Sequence, residues 1–470
     1  MKPEDGPALP KPALRRPLLG AHVSRGLSAL GVAVLGYVLG AAVMVFGLPS
    51  SDLLGKALIG GRAWLERIRL PSPAADPNPA RMARDGIDEP GKTFDGFTLY
   101  ACASVEAPGA RVYLVNMRRQ VVHQWAVDFK EIWPVPPRLQ GSGRDDLVCA
   151  FAAYLYPNGD LLVVLHSLES IVKGYGLVKL DKDSHVLWKY AAPTHHSVDV
   201  GEDGTIYAIQ QQLVETVPTT PGQAPTPRLV DDLIVLSPKG ELKKTVPILD
   251  ALRGSRYAAL LGSLERGGAH RAVPGGLTAA AFDEALLQQD VLHANSVRVL
   301  SHERAPRFPA FEPGQVLLSL RNLHALVVLD VGSGSVVWAA RGPWEYQHDA
   351  EFLDNGHLLL FDNLGLSRGS RVLEYDPRTQ AFPWSYSGED GHPFYSSKRG
   401  MSQRLPNGNT LVVSSEGGEV LEVTRDKHVV WSLLSPPDSH SATERRFITL
   451  ARRYGPDQLH FLKEGERARP

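Results

Sequence analysis

The sequence predicts an all-β fold, a six-bladed β-propeller preceded by a single N-terminal transmembrane helix. Three observations carry that reading. An uncharged apolar run of 22 residues lies near the start. A hairpin unit recurs six times after residue 90. Trp338, Trp384 and Trp431 are spaced 46 and 47 residues apart. A period of about 40–50 residues built from short strands means four-stranded blades around an axis.

The apolar run is Leu27 to Leu48, long enough to cross about 30 Å of hydrocarbon as a helix. Lys2, Lys11, Arg15, Arg16 and Arg25 precede it, against Lys56, Arg62 and Arg67 in the next twenty residues. The positive-inside rule then puts residues 1–26 in the cytoplasm, as a tail, and the rest beyond the membrane. This places the protein in the inner (cytoplasmic) membrane as a single-pass protein, its propeller on the periplasmic or extracellular side. A cleaved signal peptide is the rival, but no A-x-A site follows the apolar core. Gly36 and Gly40 form a GxxxG pair, the spacing of a helix-dimer face that admits a homodimer. Residues 49–90 read as a juxtamembrane helix (Leu53 to Leu70) and a stiff Pro-rich linker around Pro71–Pro79.

The propeller is expected over residues 91–465. Its first repeating unit is an apolar strand, a polar turn and a second strand usually ending in Trp. Copies run over Val112–Trp125, Leu177–Trp188, Leu233–Val246, Ala325–Trp338, Val372–Trp384 and Val420–Trp431. A second unit carries an Asn-Gly-type turn before an apolar strand, as at Asn158-Gly159, Asp203-Gly204, Asn355-Gly356 and Asn407-Gly408. Two stretches break the period and read as insertions, about 217–227 and 252–289, with a helical pattern in Gly276–Gln289. The tail Phe447–Leu462 is expected to supply the strand that closes the ring.

Composition fits. Hydrophobic content is 43% and charged content 21%, as for a globular chain. Fifty basic against fifty-one acidic residues leave a net charge of -1, which argues against a nucleic-acid partner. Gly 44 and Pro 36 supply the many turns. Two cysteines, Cys102 and Cys149, exclude a disulfide scaffold and leave one disulfide open.

A propeller keeps its polar centre on its axis, so the chemistry should lie in the channel mouth. Of 16 histidines, His195, His196, His293 and His348 fall where inner strands begin. His348 and His196 each lie seven residues before their turn residue, Asn355 and Asp203, and so occupy equivalent positions on two blades. His293 precedes a strand in the same way. The corresponding residues on two other blades are Phe151 and Gly400. Arg321 ends the strand after His293. Three imidazoles and a guanidinium make a cationic cup suited to a tetrahedral oxyanion. Two chemistries remain open on spacing alone. One is covalent sulfuryl or phosphoryl transfer through a His. The other is a three-His metal site. The latter needs carboxylates behind the rings, and Asp199, Asp349 and Glu351 are candidates. Strand alternation is expected to turn Asp349 away from the pocket.

At these residues the sequence resembles the bacterial arylsulfate sulfotransferase family, the nucleotide-independent aryl sulfotransferases. Leu292-His293-Ala294-Asn295-Ser296 resembles its L-H-x-N-S, and Ser319-Leu320-Arg321-Asn322 its S-S-R-H strand end. Gln347-His348 with Phe361-Asp362-Asn363 resembles its Q-H…F-D-N, and Ser370-Arg371-Val372-Leu373-Glu374-Tyr375 its S-R-x-x-E-Y. The resemblance covers roughly residues 95 to 465. It implies a six-bladed propeller, no cofactor and no metal. It implies His348 as the nucleophile that becomes sulfohistidine, and His293 and Arg321 as holders of the sulfuryl oxygens. His196 would handle the phenol proton and Asn295 would be an auxiliary donor. Trp344, Tyr346, Phe394 and Tyr395 are candidates for an aromatic substrate pocket. The partners implied are a small aryl sulfate ester as donor and a phenol as acceptor. Asn322 departs from the family's His, and the 28 residues from His293 to Arg321 include an inserted loop with Pro306, Pro309 and Pro313. The alternative from another class is a non-catalytic propeller that scaffolds a membrane protein complex.

Overall fold

The computed structural model describes residues 86–103, 110–133, 148–167, 174–216, 226–262, 289–366, 369–389, 392–393, 395–438 and 441–462. The expected transmembrane helix at 27–48, nearly all of 49–90, most of both insertions and Phe394 lie outside them. Among the described residues no helix is long and apolar enough to cross a membrane.

Six antiparallel four-stranded sheets form a propeller. Blade 1 contains β1 (Phe97–Cys102), β2 (Ala110–Val115) and β3 (Val121–Val127). Blade 2 is β4 (Val148–Leu155), β5 (Leu161–Ser167), β6 (Gly174–Leu180) and β7 (Val186–Tyr190). Blade 3 is β8 (Thr194–Val200), β9 (Ile206–Thr216), β10 (Thr226–Leu236) and β11 (Leu242–Pro247). Blade 4 is β12 (Ala294–Val299), β13 (Val316–Leu320), β14 (Ala325–Asp330) and β15 (Ser335–Arg341). Blade 5 is β16 (His348–Phe352), β17 (Leu358–Leu366), β18 (Gly369–Tyr375) and β19 (Trp384–Tyr386). A short ribbon, β20 (Gly388–Glu389) with β21 (His392–Pro393), leads to blade 6. That blade is β22 (Met401–Arg404), β23 (Thr410–Ser414), β24 (Glu419–Val423) and β25 (Val429–Leu434). A second ribbon, β26 (Pro437–Asp438) with β27 (Ser441–Arg445), precedes β28 (Ile448–Tyr454).

The six hairpins read from the sequence are the outer two strands of each blade. The Asn-Gly-type turns join the inner two strands of blades 2, 3, 5 and 6, and Gly356 sits at φ 84°, where a side chain is strained. The closing strand is also as expected. β28 pairs with β1 and becomes the inner strand of blade 1, so the first and last described strands complete one sheet. The inner strands β28, β4, β8, β12, β16 and β22 face one another in turn around the axis.

Apolar side chains fill the gaps between sheets, and the recurring Trp explains the repeat. Trp125 donates from Nε1 to Gly159 O on blade 2 at 3.1 Å. Trp384 donates to Arg425 O on blade 6 at 2.9 Å, and Trp431 to Met117 O on blade 1 at 2.8 Å. Each ring packs between its own blade and the next. Burying about 200 Å² of such a ring at about 25 cal/mol/Å² contributes about 5 kcal/mol. Cys102 and Cys149 are both thiols, and burial pushes Cys102 up to about 12.

Closure has its own ion pair. Arg453 of β28 and Glu422 of β24 are fully buried, with Nη1 3.1 Å from Oε2. Arg453 also donates to Thr98 Oγ1 at 2.8 Å and Phe94 O at 2.7 Å, and lies over Trp431. Removing one charge of a buried pair strands the other. Glu422→Gln should therefore destabilise the propeller by about 3 kcal/mol, read from the urea midpoint. A midpoint equal to the wild type would mean that closure does not depend on this pair.

Candidate active site

The candidate site lies where the regular ladders of the inner strands fail. The pairing of inner to second strand is interrupted at Ala150/Ala152, His195/Val198, Ala294/Ser296 and His348/Glu351. Such bulges re-aim side chains that alternation would send elsewhere. Positive φ accompanies three of them, at His196 (59°), His293 (49°) and Asp349 (48°), and recurs at Arg399 (57°), just before the regular inner strand of blade 6. Each costs a non-glycine residue about 1–2 kcal/mol. Strain of this kind concentrates at functional sites.

The bulges bring His196, His293 and His348 together. Ring centroids are 4.9 Å apart for His196–His293 and 6.4 Å for His196–His348. His348 is 4% exposed. Its Nδ1 lies 2.8 Å from Asn363 Oδ1 and 3.0 Å from Tyr346 O. The Asn363 amide cannot be turned round, because its Nδ2 donates to the carbonyls of Ser396 and Arg399. Both neighbours of Nδ1 are acceptors, so Nδ1 carries the proton and Nε2 the lone pair. Burial first, then Arg321, hold His348 well below the ordinary imidazole value, opposed by the Asn363 bond. Burial, then His195, His293, His166 and Arg399, do the same to His196.

His293 is fixed differently. Its backbone N–H donates to Asp290 Oδ1 at 3.1 Å, and its Nδ1 lies 2.5 Å from Oδ2. Burial alone would raise the Asp290 carboxyl, but His293, His195 and Arg321 hold it below the ordinary value. Arg321 donates from its backbone N–H to His293 O at 3.2 Å and from Nη1 to Asn322 Oδ1 at 2.9 Å. Its guanidinium lies over the Tyr346 ring, 4.4 Å from the centroid. Asn322 in turn donates to Asp290 O at 2.8 Å, so this departure from the family pattern orients the arginine.

The remaining expectations divide. Tyr346 joins the site through Arg321. Trp344 does not: its ring is 1% exposed in the apolar core, bonded to His324 O at 2.9 Å. Tyr395 is tied to blade 6, its carbonyl accepting from Ser414 Oγ at 3.2 Å. Asn295 gives one of its two side-chain N–H groups to Gln347 O at 2.8 Å, and its buried Oδ1 has no hydrogen-bond partner among the described residues. Asp349 is not turned away. Its bulge sends it toward the axis, where it meets Arg298 at 2.6 Å and Ser402 N at 3.0 Å. Asp199 and Glu351 accept from neighbouring inner strands, at Val299 N and Arg404 N, rather than standing behind a histidine. No three His, Cys, Asp or Glu side chains converge with metal-ligand geometry among the described residues.

Sequence reasoning missed Arg399, one residue before Gly400. It is buried on the axis and donates to Thr449 O, Phe151 O and His196 O, joining blade 6 to blades 1, 2 and 3. Burial lowers it to about 10, opposed by Asp349. Gly400, at φ 121°, leaves room for Phe361, which a Cβ would meet at 2.3 Å. Asn363 and Asp290 were missed too, although the F-D-N motif and the Asp290-x-x-His293 spacing were visible. Below the histidines a cavity of about 60 Å³ is lined by His196, Asn295, Arg298, His348, Asp349 and Arg399, among others.

The neutral histidine has a measurable signature. The unfolded chain takes up a proton at His348 near 6.5, while the folded site resists it. The unfolded state then binds more protons as pH falls below 6.5, and stability falls with it. His348→Gln should flatten that slope by about 1.4 kcal/mol per pH unit, read from urea midpoints between about pH 7 and 5. An unaltered slope would mean that His348 is charged in the fold.

The sequence matches the family described as Arylsulfotransferase (ASST) over residues 154–435, more than half of the chain. That span contains His196, His293, Arg321 and His348. No curated protein matches the chain. A protein of unknown function from Bacteroides caccae is 10% identical, with 76% of this chain and 98% of that one covered at a TM-score of 0.45. A streptogramin B lyase is 9% identical, with 75% and 87% covered at a TM-score of 0.37. Selenomethionine-substituted virginiamycin B lyase from Staphylococcus aureus is 8% identical, with 61% and 70% covered at a TM-score of 0.33. On its sequence match, this chain belongs to the arylsulfotransferase family.

Proposed function

We propose that this protein moves a sulfuryl group from an aryl sulfate ester to a phenolic acceptor, through a sulfohistidine at His348. The observation that carries the reading is the state of that ring. Its Nδ1–H is held by Asn363 and Tyr346, which leaves Nε2 as the basic atom of a neutral imidazole. A neutral, oriented imidazole is a nucleophile without further activation. His348 Nε2 attacks sulfur and the aryl oxygen leaves. Arg321, its guanidinium over the Tyr346 ring, offers a planar fork to the sulfuryl oxygens. His293, tied to Asp290, stands beside them, and His196 handles the phenol proton. A second phenol then takes the group from His348.

The test is an intact mass of the full chain in detergent after mixing with a chromogenic aryl sulfate. A sulfuryl adduct that discharges to an added phenol, and is absent in His348→Ala, is the expected result. Transfer that persists in His348→Ala would remove His348 as nucleophile.

We further propose that Leu27–Leu48 anchors the propeller on the outer side of the cytoplasmic membrane. Full-length protein should sediment with membranes and resist carbonate extraction, while a chain lacking residues 1–80 stays in solution. Release of the full-length chain by carbonate would overturn the anchor.

A further inference from the structure

We infer that His195 and Asp231 form a buried proton relay behind His196, which lets His196 act as acid in one half-reaction and base in the other. The inference rests on the transfer proposed above. His195 Nδ1 and His196 Nδ1 are 2.6 Å apart, with the rings crossed at 86°. Two nitrogen lone pairs do not approach this closely without a proton between them. His195 is 1% exposed. Its Nε2 stands 3.2 Å from Asp231 Oδ1, at ion-pair distance though off the line of a straight hydrogen bond. Asp231 is 1% exposed and held from two sides. Its Oδ2 accepts from Ala294 N at 2.7 Å and its Oδ1 from Gln211 Nε2 at 3.4 Å. Among the described residues no arginine or lysine comes within ion-pair distance of this carboxylate. A buried carboxylate with a histidine as its ion-pair partner, itself backing a second histidine, is an arrangement for holding a proton.

The chemistry calls for such a store, because releasing one phenol and capturing another are the same step in opposite directions. Before the donor reacts, His195 carries protons on both nitrogens beside the Asp231 carboxylate. Its Nδ1–H donates to His196 Nδ1, so His196 holds its own proton on Nε2. The His348 Nε2 lone pair then forms the N–S bond, and the S–O bond to the aryl group breaks. The electron pair stays on the aryl oxygen, which takes the proton from His196 Nε2. The shared proton moves from His195 Nδ1 to His196 Nδ1. His195 is left neutral, with Nε2–H toward Asp231, and His196 with a lone pair on Nε2. The positive charge lost from His195 reappears on the His348 ring, whose Nδ1–H still donates to Asn363. An entering phenol gives its proton to His196 Nε2 and its oxygen forms the new O–S bond. The N–S pair returns to His348, and the shared proton returns to His195. His195 and Asp231 touch no reacting atom, so they are positioning residues.

The experiment compares phenyl sulfate, whose leaving oxygen needs a proton, with 4-nitrophenyl sulfate, whose leaving oxygen does not. General acid catalysis contributes about 10²–10⁴-fold, so His195→Gln and Asp231→Asn should each lower kcat/KM on phenyl sulfate by about 100-fold. The loss on the nitrophenyl ester should be no more than a few-fold. Equal losses on both donors, or no loss on phenyl sulfate, would overturn the relay. A second measurement needs no turnover. The shared proton should give an exchange-protected, strongly downfield imidazole N–H resonance in full-length protein in detergent. It should vanish in His195→Gln and persist in His348→Gln. Its absence from the wild type would overturn the relay. A wild type that transfers no sulfuryl group yet keeps this resonance would overturn the proposed function and leave the relay standing.

Discussion

Each inner strand has one edge with no strand beside it, and its backbone N–H groups must still find acceptors at the crowded axis. The propeller solves this with side-chain oxygens from the neighbouring blade. Ser197 and Asp199 of β8 accept from Val297 and Val299 of β12. Ser296 of β12 accepts from Ala350 of β16. Asp349 and Glu351 of β16 accept from Ser402 and Arg404 of β22, and Gln403 of β22 accepts from Arg453 of β28. Four of the six steps between inner strands, from β8 round to β28, are thus stitched by polar side chains. The polar axis follows from that need, and so does the place of the chemistry. Apolar residues are excluded from most axial positions by the same edge groups that recruit serine and carboxylate.

A regular strand can present only alternate residues to the axis. The bulges relax this limit and let consecutive residues point inward, so His348 and Asp349 both do so. His348 faces His196 across the cavity, and Asp349 joins blade 5 to Arg298 and Ser402. The left-handed backbone at His196, His293, Asp349 and Arg399 is held in place by cross-blade bonds that single residues could not supply. Rigidity at the site is therefore a property of the ring, not of any one blade.

Blade number and closure were legible because they rest on local chemistry: period-two apolar strands, Asn-Gly turns and a Trp that packs against the next blade. His196, His293 and His348 were legible by counting back from the turns or to the next strand. Their partners were not. Arg399 lies 203 and 248 residues from two of its acceptors, and no local pattern announces such a bond. Asp349 was misjudged because alternation fails at a bulge that sequence does not display. Trp344 was misjudged because an aromatic residue close in sequence to a candidate-site histidine packs a core as readily as it binds a ring. The N-terminal segment is an inference from hydropathy and charge and lies outside the described residues.

The partners also separate the roles of the histidines. Carboxylates stand behind His293 and, through His195, behind His196. An amide stands behind His348. A carboxylate there would make the ring more basic, but it would bring a negative charge to the residue that, in the transfer proposed above, receives the anionic sulfuryl group. Two like charges about 7 Å apart, on opposite sides of the ring, repel by about 2.4 kcal/mol at an effective dielectric of about 20, enough to slow attack by roughly 50-fold. An amide oxygen cannot take the proton away from Nδ1, so it fixes the tautomer without that repulsion. In the proposed sulfohistidine it would still accept from the positively charged ring. On the proposed mechanism, the carboxylates stand where a proton is stored or a ring oriented, and the neutral acceptor stands behind the ring that would form the bond to sulfur.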